Sequence, residues 1–311
     1  MNTTVTYTAI ILLLIFGFVA KAQESITPEN FDLPKNTVKA VVRYTDFSIP
    51  QQQFSVRPSY TVYTFKNDKI VCLQYEDTAS MVKTTVNYQY ENDYLKSKET
   101  LQNSNAGTER KINTYRTEKQ DYKTTFYRTY PTEETDKTIL FYNEAGELRG
   151  KSFYNVHGKR TEQIEYNGKE GYRLKKYFDE KLMTDITYVN DSNGKLTKSE
   201  TIVLPGEDEE VKVLTLYYYN PNGDLKQVVD FITEAKNSGK KISRQKHYTY
   251  LYDGDVWVAQ IEYSLANNKK KNLIATIRTL ETPEKIYNAP SDEQLKVFFQ
   301  ETYQKYLKLS R

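Results

Sequence analysis

Nucleophilic and metal chemistry draw on Ser, His, Cys and clustered carboxylates, and this chain is sparing with two of them: two His and one Cys in 311 residues. That is too few for a closed zinc site of the usual His/Cys kind. No Gly-x-Ser-x-Gly elbow is present, and Cys72 sits in an alternating apolar stretch where a small buried thiol is ordinary. His157 lies inside a Gly-containing turn and His247 opens a strand-like run, so both read as surface or packing residues. Asp191, Asn193, Gly194 and Glu200 match positions 3, 5, 6 and 12 of a calcium loop, but Val189 stands where the first acid belongs. The acidic run 207–210 follows Pro205-Gly206 and reads as a solvated hairpin tip, and Lys269 to Lys271 as a solubilising loop. Nothing in the spacing of 41 acids singles out the facing pair that glycoside hydrolysis needs. No catalytic residue, metal or cofactor is expected, and the chain reads as non-enzymatic.

Aromatic density is what remains. The chain has 28 Tyr and one Trp, and Tyr217, Tyr219, Tyr250, Tyr252 and Trp257 gather in its last third. Aromatic faces can stack on sugars or line an apolar groove, so these five are the candidate ligand-binding residues.

The elements that would hold them are strands. Runs rich in Tyr, Thr, Val and Ile recur throughout, as at 39–47, 59–65, 83–90, 211–219 and 256–263. In 211–219 the odd positions share one face, because side chains alternate along a strand. Both faces there are apolar or aromatic, whereas 84–90 has one plainly polar face, as in an antiparallel sheet with a wet side.

A repeat sets the period. Tyr142-Asn143-x-x-Gly146-x-Leu148 recurs at Tyr154-Asn155-x-x-Gly158 and at Tyr219-Asn220-x-x-Gly223-x-Leu225. Looser copies stand at 166–174 and at 189–196, the latter keeping Gly194. Tyrosines at 142, 154, 166, 177 and 188 step by 12, 12, 11 and 11, one strand plus one turn per step. Asn opens the turn through its side chain and Gly takes the positive φ that other residues resist. Asn143, Gly146, Asn155, Gly158, Gly194, Asn220 and Gly223 are therefore assigned structural roles. The motif resembles the tyrosine-aspartate (YD) repeat of Rhs-type shell proteins and the MORN-like hairpin repeats of bacterial envelopes, over 138–230. It departs from the YD pattern by carrying Asn where Asp is usual. The resemblance implies a β-meander scaffold and no reaction.

The first residues supply an address. Residues 9–20 form an uninterrupted apolar run, shorter than the roughly 20 residues that span a bilayer, and Ala20-Lys21-Ala22 ahead of Gln23 is a signal-peptidase pattern. A leader of residues 1–22 is expected, and with no Cys behind it no lipid anchor. A net charge of +3 argues against a dedicated nucleic-acid binder. At the other end Ser291 and Gln294 form a capping box, with Leu295, Phe298, Phe299, Tyr303, Tyr306 and Leu307 at helical spacing, which predicts an amphipathic helix over 291–309.

The chain is thus expected to be all-β: a long twisted antiparallel meander, open or curled, in one domain over 23–311, with a C-terminal helix on one face. It is expected in the periplasm or outside the cell, not spanning a membrane once the leader is removed. The favoured role is an envelope scaffold or interaction protein with a protein or glycan partner. A half-barrel carrier of an acyl chain or lipoprotein, with lipid as ligand, is the alternative, and a glycan-binding or glycan-active protein the third.

Overall fold

The computed structural model describes residues 26–308, apart from 49–52, 206–209, 235–236 and 267–268. The expected cleavage-site residues Ala20, Ala22 and Gln23 lie outside the described residues, as do the core of the acidic run and the side chains of Lys269 to Lys271. A short 3-10 turn, Pro28–Phe31, precedes the strands. These are β1 Lys39–Ser48, β2 Gln53–Lys66, β3 Lys69–Asp77, β4 Val82–Glu91, β5 Tyr94–Ser104 and β6 Gly107–Gln120. Next come β7 Lys123–Thr129, β8 Thr135–Tyr142, β9 Leu148–Tyr154, β10 Arg160–Tyr166, β11 Gly171–Phe178 and β12 Lys181–Asn190. The last are β13 Leu196–Val203, β14 Val211–Tyr219, β15 Leu225–Glu234, β16 Asn237–Asp253, β17 Val256–Ala266 and β18 Lys269–Glu281, then a two-residue β19, Ile286–Tyr287, and helix α1, Asp292–Lys308.

Every strand from β1 to β18 pairs antiparallel with its neighbour in sequence, and β1 pairs with β18 in continuous register from Lys39↔Glu281 to Asp46↔Ile274. The fold is a closed 18-strand antiparallel barrel, not the open or curled sheet expected from the sequence. Closure also overturns the expectation that the mature chain does not span a membrane. A closed wall pairs its own edges, and this is the one β architecture by which strands cross a bilayer. Among the described residues no helix is long and apolar enough to cross, a criterion blind to β-barrels.

The turns follow from their residues. In each repeat the first residue's carbonyl accepts from the Gly N–H, as Gly146 to Asn143 (3.0 Å), Gly158 to Asn155 (2.9 Å), Gly194 to Asp191 (3.0 Å) and Gly223 to Asn220 (2.9 Å). The Asn143, Asn155 and Asp191 Oδ1 atoms also accept from the backbone four residues on, at 2.8–3.0 Å. This is a type I turn closed by a left-handed residue, and the four glycines sit at φ 73–95°. Elsewhere two-residue turns use Asn67-Asp68, Asn92-Asp93 and Asp179-Glu180, each pair at positive φ. Lys69 and Lys159 pair with Asp93 and Asp179 and hold those turn carboxyls below the usual range.

Register sorts the side chains into two walls. Asn113, Tyr115 and Thr117 of β6 are half-buried while Thr114, Arg116 and Glu118 are exposed, so the first set faces inward. Tyr188 and Tyr217, two strands apart on that face, lie within electrostatic range, as expected of a concave surface. The outer wall carries ion pairs such as Arg110–Glu99 (2.7 Å) and Lys198–Glu200 (2.6 Å). Its apolar sector, Ala259, Ile261, Tyr263, Leu273, Ala275 and Ile277, is roofed by Phe298, Phe299 and Tyr306 of α1. The helix starts on the Ser291/Gln294 box, with Gln294 N–H donating to Ser291 Oγ (3.3 Å) and Ser291 N–H to Gln294 Oε1 (2.9 Å). The segment ahead of β1 packs inside instead: Ile26 and Leu33 join Ala40, Phe65, Ile70, Leu73, Val86 and Leu280 in a second core.

Candidate functional site

The inner wall of β5–β8 builds a recess near the β6–β7 turn. Tyr94, Lys119, Gln120, Asp121, Thr124 and Tyr142 line a volume of about 300 Å³. β5 supplies Tyr94, whose ring lies 5.7 Å from Phe126 of β7, and Lys119 Nζ sits 4.9 Å from the Tyr94 centroid. Tyr142 ends β8, its N–H donating to the Tyr122 carbonyl (2.8 Å). Two aromatic rings with an amide, a carboxylate, a hydroxyl and an ammonium around them combine an apolar platform with donors and acceptors. That combination suits a polyhydroxylated ring.

Farther along the same wall stands a charged group. Register brings Lys98 of β5 opposite Tyr88 and Asn113, Tyr115 opposite Arg128, and Arg128 opposite Asp136. Arg128 is bound by the Asp136 carboxylate through Nε (3.0 Å) and Nη2, and Tyr130 donates to the same carboxylate (2.8 Å).

The five candidate aromatics divide. Tyr250, Tyr252 and Trp257 meet, with centroids 6.0 Å apart for both Tyr250–Tyr252 and Tyr250–Trp257. Tyr250 donates to the Leu225 carbonyl (2.7 Å) and Tyr252 to Asp224 Oδ2 (2.5 Å), so both hydroxyls brace the β14–β15 turn. Trp257 is buried under Arg278, whose guanidinium carbon lies 3.2 Å from the indole centroid. Arg278 in turn donates to the carbonyls of Trp257 (2.7 Å) and Asp32 (2.6 Å), pinning the N-terminal segment. Burial pushes the Asp32 carboxyl up despite the Arg278 charge. Tyr217 and Tyr219 stand apart from this group. Tyr219 donates to the Leu196 carbonyl (2.7 Å), and Tyr217 closes an inner row with Tyr172 and Tyr188, whose rings stack at 4.3 Å.

The remaining sequence candidates are placed as packing or turn residues. His157 N–H donates to Asn155 Oδ1 (3.1 Å), and His247 stacks on Tyr263 (5.0 Å). Cys72 is a free, half-buried thiol. Asp191 spends its carboxylate on the turn N–H groups of Asn193 and Lys195. Among the described residues no cluster of three His, Cys, Asp or Glu side chains could hold a metal. Tyr94, Lys98, Lys119 and Arg128 escaped the sequence reading because β5–β7 carry no repeat. Only the register of three consecutive strands would have shown them on one wall.

No family model matches the chain, and no curated protein matches it. Among solved structures it is similar to a porin-like protein from Bacteroides uniformis ATCC 8492, at 13% identity over 79% of this chain and 98% of the other, with a TM-score of 0.41. A porin-like protein from Bacteroides vulgatus ATCC 8482 is similar at 12% identity over 78% and 98%, with a TM-score of 0.35.

Proposed function

We propose that the chain is a non-enzymatic β-barrel of the bacterial envelope that binds a glycan against its inner wall. The apolar run at 9–20 with its Ala20-Lys21-Ala22 pattern supports export, and the recess walled by Tyr94 and Tyr142 carries the ligand reading. An acyl carrier needs a continuous apolar concave face, whereas this wall carries Lys98, Arg128, Asp136, Asp230 and Arg244. A glycosidase needs two opposed carboxylates with one able to give a proton. Here Asp136, Asp230, Glu262 and Glu162 are each ion-paired, to Arg128, Arg244, Lys246 and Lys176, and Asp224, the carboxylate that acts on the raised Asp32, is taken up by Tyr252 and Asn222. The test is calorimetry of the mature protein with soluble oligosaccharides. Tyr94→Ala with Tyr142→Ala should abolish binding, and Tyr218→Ala on the outer wall should leave it unchanged. Equal binding by all three proteins would remove the recess from the argument.

Closure of the wall through β1–β18 favours a second reading, a barrel inserted in the outer membrane with its tyrosine wall around a water-filled lumen. The outer ion pairs at Glu99–Arg110 and Lys198–Glu200 must then lie outside the hydrocarbon layer. An inserted barrel stays with membranes through a urea wash, and release into the wash would end this reading.

A further inference from the structure

Among the described residues, Lys98 and Lys119 are inner-wall cations of β5–β8 without an ion pair; Lys119 lies in the recess against the Tyr94 ring, and Lys98 is the more enclosed of the two. No carboxylate among the described residues lies within ion-pair distance of the Lys98 ammonium, and the ring of Tyr88 is 6.0 Å from it. The nearest inward-facing acid in register, Asp136, is engaged by both Arg128 and Tyr130. Arg128, itself paired with Asp136, also acts on Lys98 as a like charge from two strands away. Beside them the Tyr115 hydroxyl is enclosed without a hydrogen bond. The Asn113 side chain is its hydrogen-bonding neighbour, outside strict bonding geometry. A half-buried ammonium offers three donors and no acceptor, and an enclosed phenol adds a fourth donor. The wall therefore lacks acceptors and negative charge at one place, and buried polar groups without partners are rare enough to need a reason.

That place is four residues along β5 from the aromatic recess, about 13 Å at the rise of a strand. Tyr94 and Lys98 thus stand on one strand, one in the recess and one beyond it. A chain ligand lying along β5 would meet an aromatic platform first and an unpaired cation next.

We propose that the ligand is an acidic glycan, and that Lys98, backed by Arg128, receives its anionic substituent while the recess at Tyr94 and Tyr142 holds a neighbouring sugar ring. This rests on the glycan reading above and adds the charge of the ligand and the residue that selects it. Carboxylate, sulfate and phosphate substituents share the acceptor chemistry that Lys98 needs, and the ligand set below separates them. A charged hydrogen bond formed away from bulk water should separate acidic from neutral ligands by about ten- to a hundredfold in affinity.

The experiment is calorimetry of the mature protein with four probes: an oligogalacturonate, a neutral galactan oligomer of equal length, a sulfated oligosaccharide, and inorganic phosphate. Wild type is expected to bind an acidic oligomer at least about tenfold more tightly than the neutral one, with the difference shrinking as salt is raised. Lys98→Gln should erase that difference while keeping neutral binding, and Lys98→Arg should keep it. Lys198→Gln on the outer wall is the control for non-specific charge and should change nothing. Preference for galacturonate or for the sulfated oligomer identifies the substituent. Equal binding of acidic and neutral oligomers, or a preference that survives Lys98→Gln, overturns the charge proposal and leaves the recess reading intact. Failure of every oligosaccharide to bind sinks both. Binding of phosphate without any oligosaccharide shows a small-anion site and overturns the glycan.

Discussion

Asp32 holds a left-handed conformation (φ 57°) while its backbone carbonyl accepts from Arg278. Burial raises its carboxyl above the usual carboxylate range. The folded chain therefore keeps this proton to higher pH than the unfolded chain. The stabilisation from protonated Asp32 is complete below the unfolded value and is lost as pH rises through the folded one. Asn tolerates the left-handed region and carries no charge, so Asp32→Asn should be at least as stable as wild type at neutrality. Its denaturation midpoint should fall less than that of wild type between about pH 4 and neutrality; parallel profiles would show that Asp32 does not titrate in this window. Glycines separate in the same way. Gly146 (φ 78°) has open space where a Cβ would stand, whereas at Gly171 (φ 142°) a Cβ would overlap the Tyr188 carbonyl oxygen. Gly146→Ala should cost about 1–2 kcal/mol, the left-handed penalty alone. Gly171→Ala should cost more, because backbone on β12 must also move, and equal urea midpoints for the two would contradict this.

Helix α1 is held by its buried face rather than by propensity alone. Phe298, Phe299 and Tyr306 are 8%, 7% and 0% exposed against the outer sector of β17 and β18, while Val297 is 51% exposed. Phe299→Ala should lose about 3–5 kcal/mol, and Val297→Ala should stay within about 0.5 kcal/mol. Urea denaturation followed by tyrosine fluorescence measures both, and a silent Phe299→Ala would mean that the helix does not roof this sector. The sequence carries this element openly, since the 3.6-residue period and the Ser291–Gln294 box are local. The turns are equally local: Asn143 and Gly146 need only each other and the two strands they join. The recess is not. Tyr94, Lys119 and Tyr142 come from three strands, and no periodicity links them.

Closure belongs to the whole molecule. β1 and β18 meet with Val41 opposite Thr279, residues far apart in the chain. Opposed residues of an antiparallel pair lie about 4.5–5.5 Å apart at Cα, inside the range a disulfide accepts. In a Cys72→Ala background, Val41→Cys with Thr279→Cys should therefore form an intramolecular disulfide, visible as a mobility change on non-reducing gels. Persistent free thiols under mild oxidation would argue for an open sheet. By itself the sequence determined the strands, through Tyr, Thr and Val alternation, the Asn/Gly turns between them, and the capped terminal helix, because each rests on contacts within a few residues. Only the tertiary structure decided that the eighteenth strand returns to the first, which wall faces inward, and which side chains share that wall. A meander's local pattern is the same open or closed. The final pairing depends instead on the twist and stagger accumulated over all the strands, and no single segment encodes that sum.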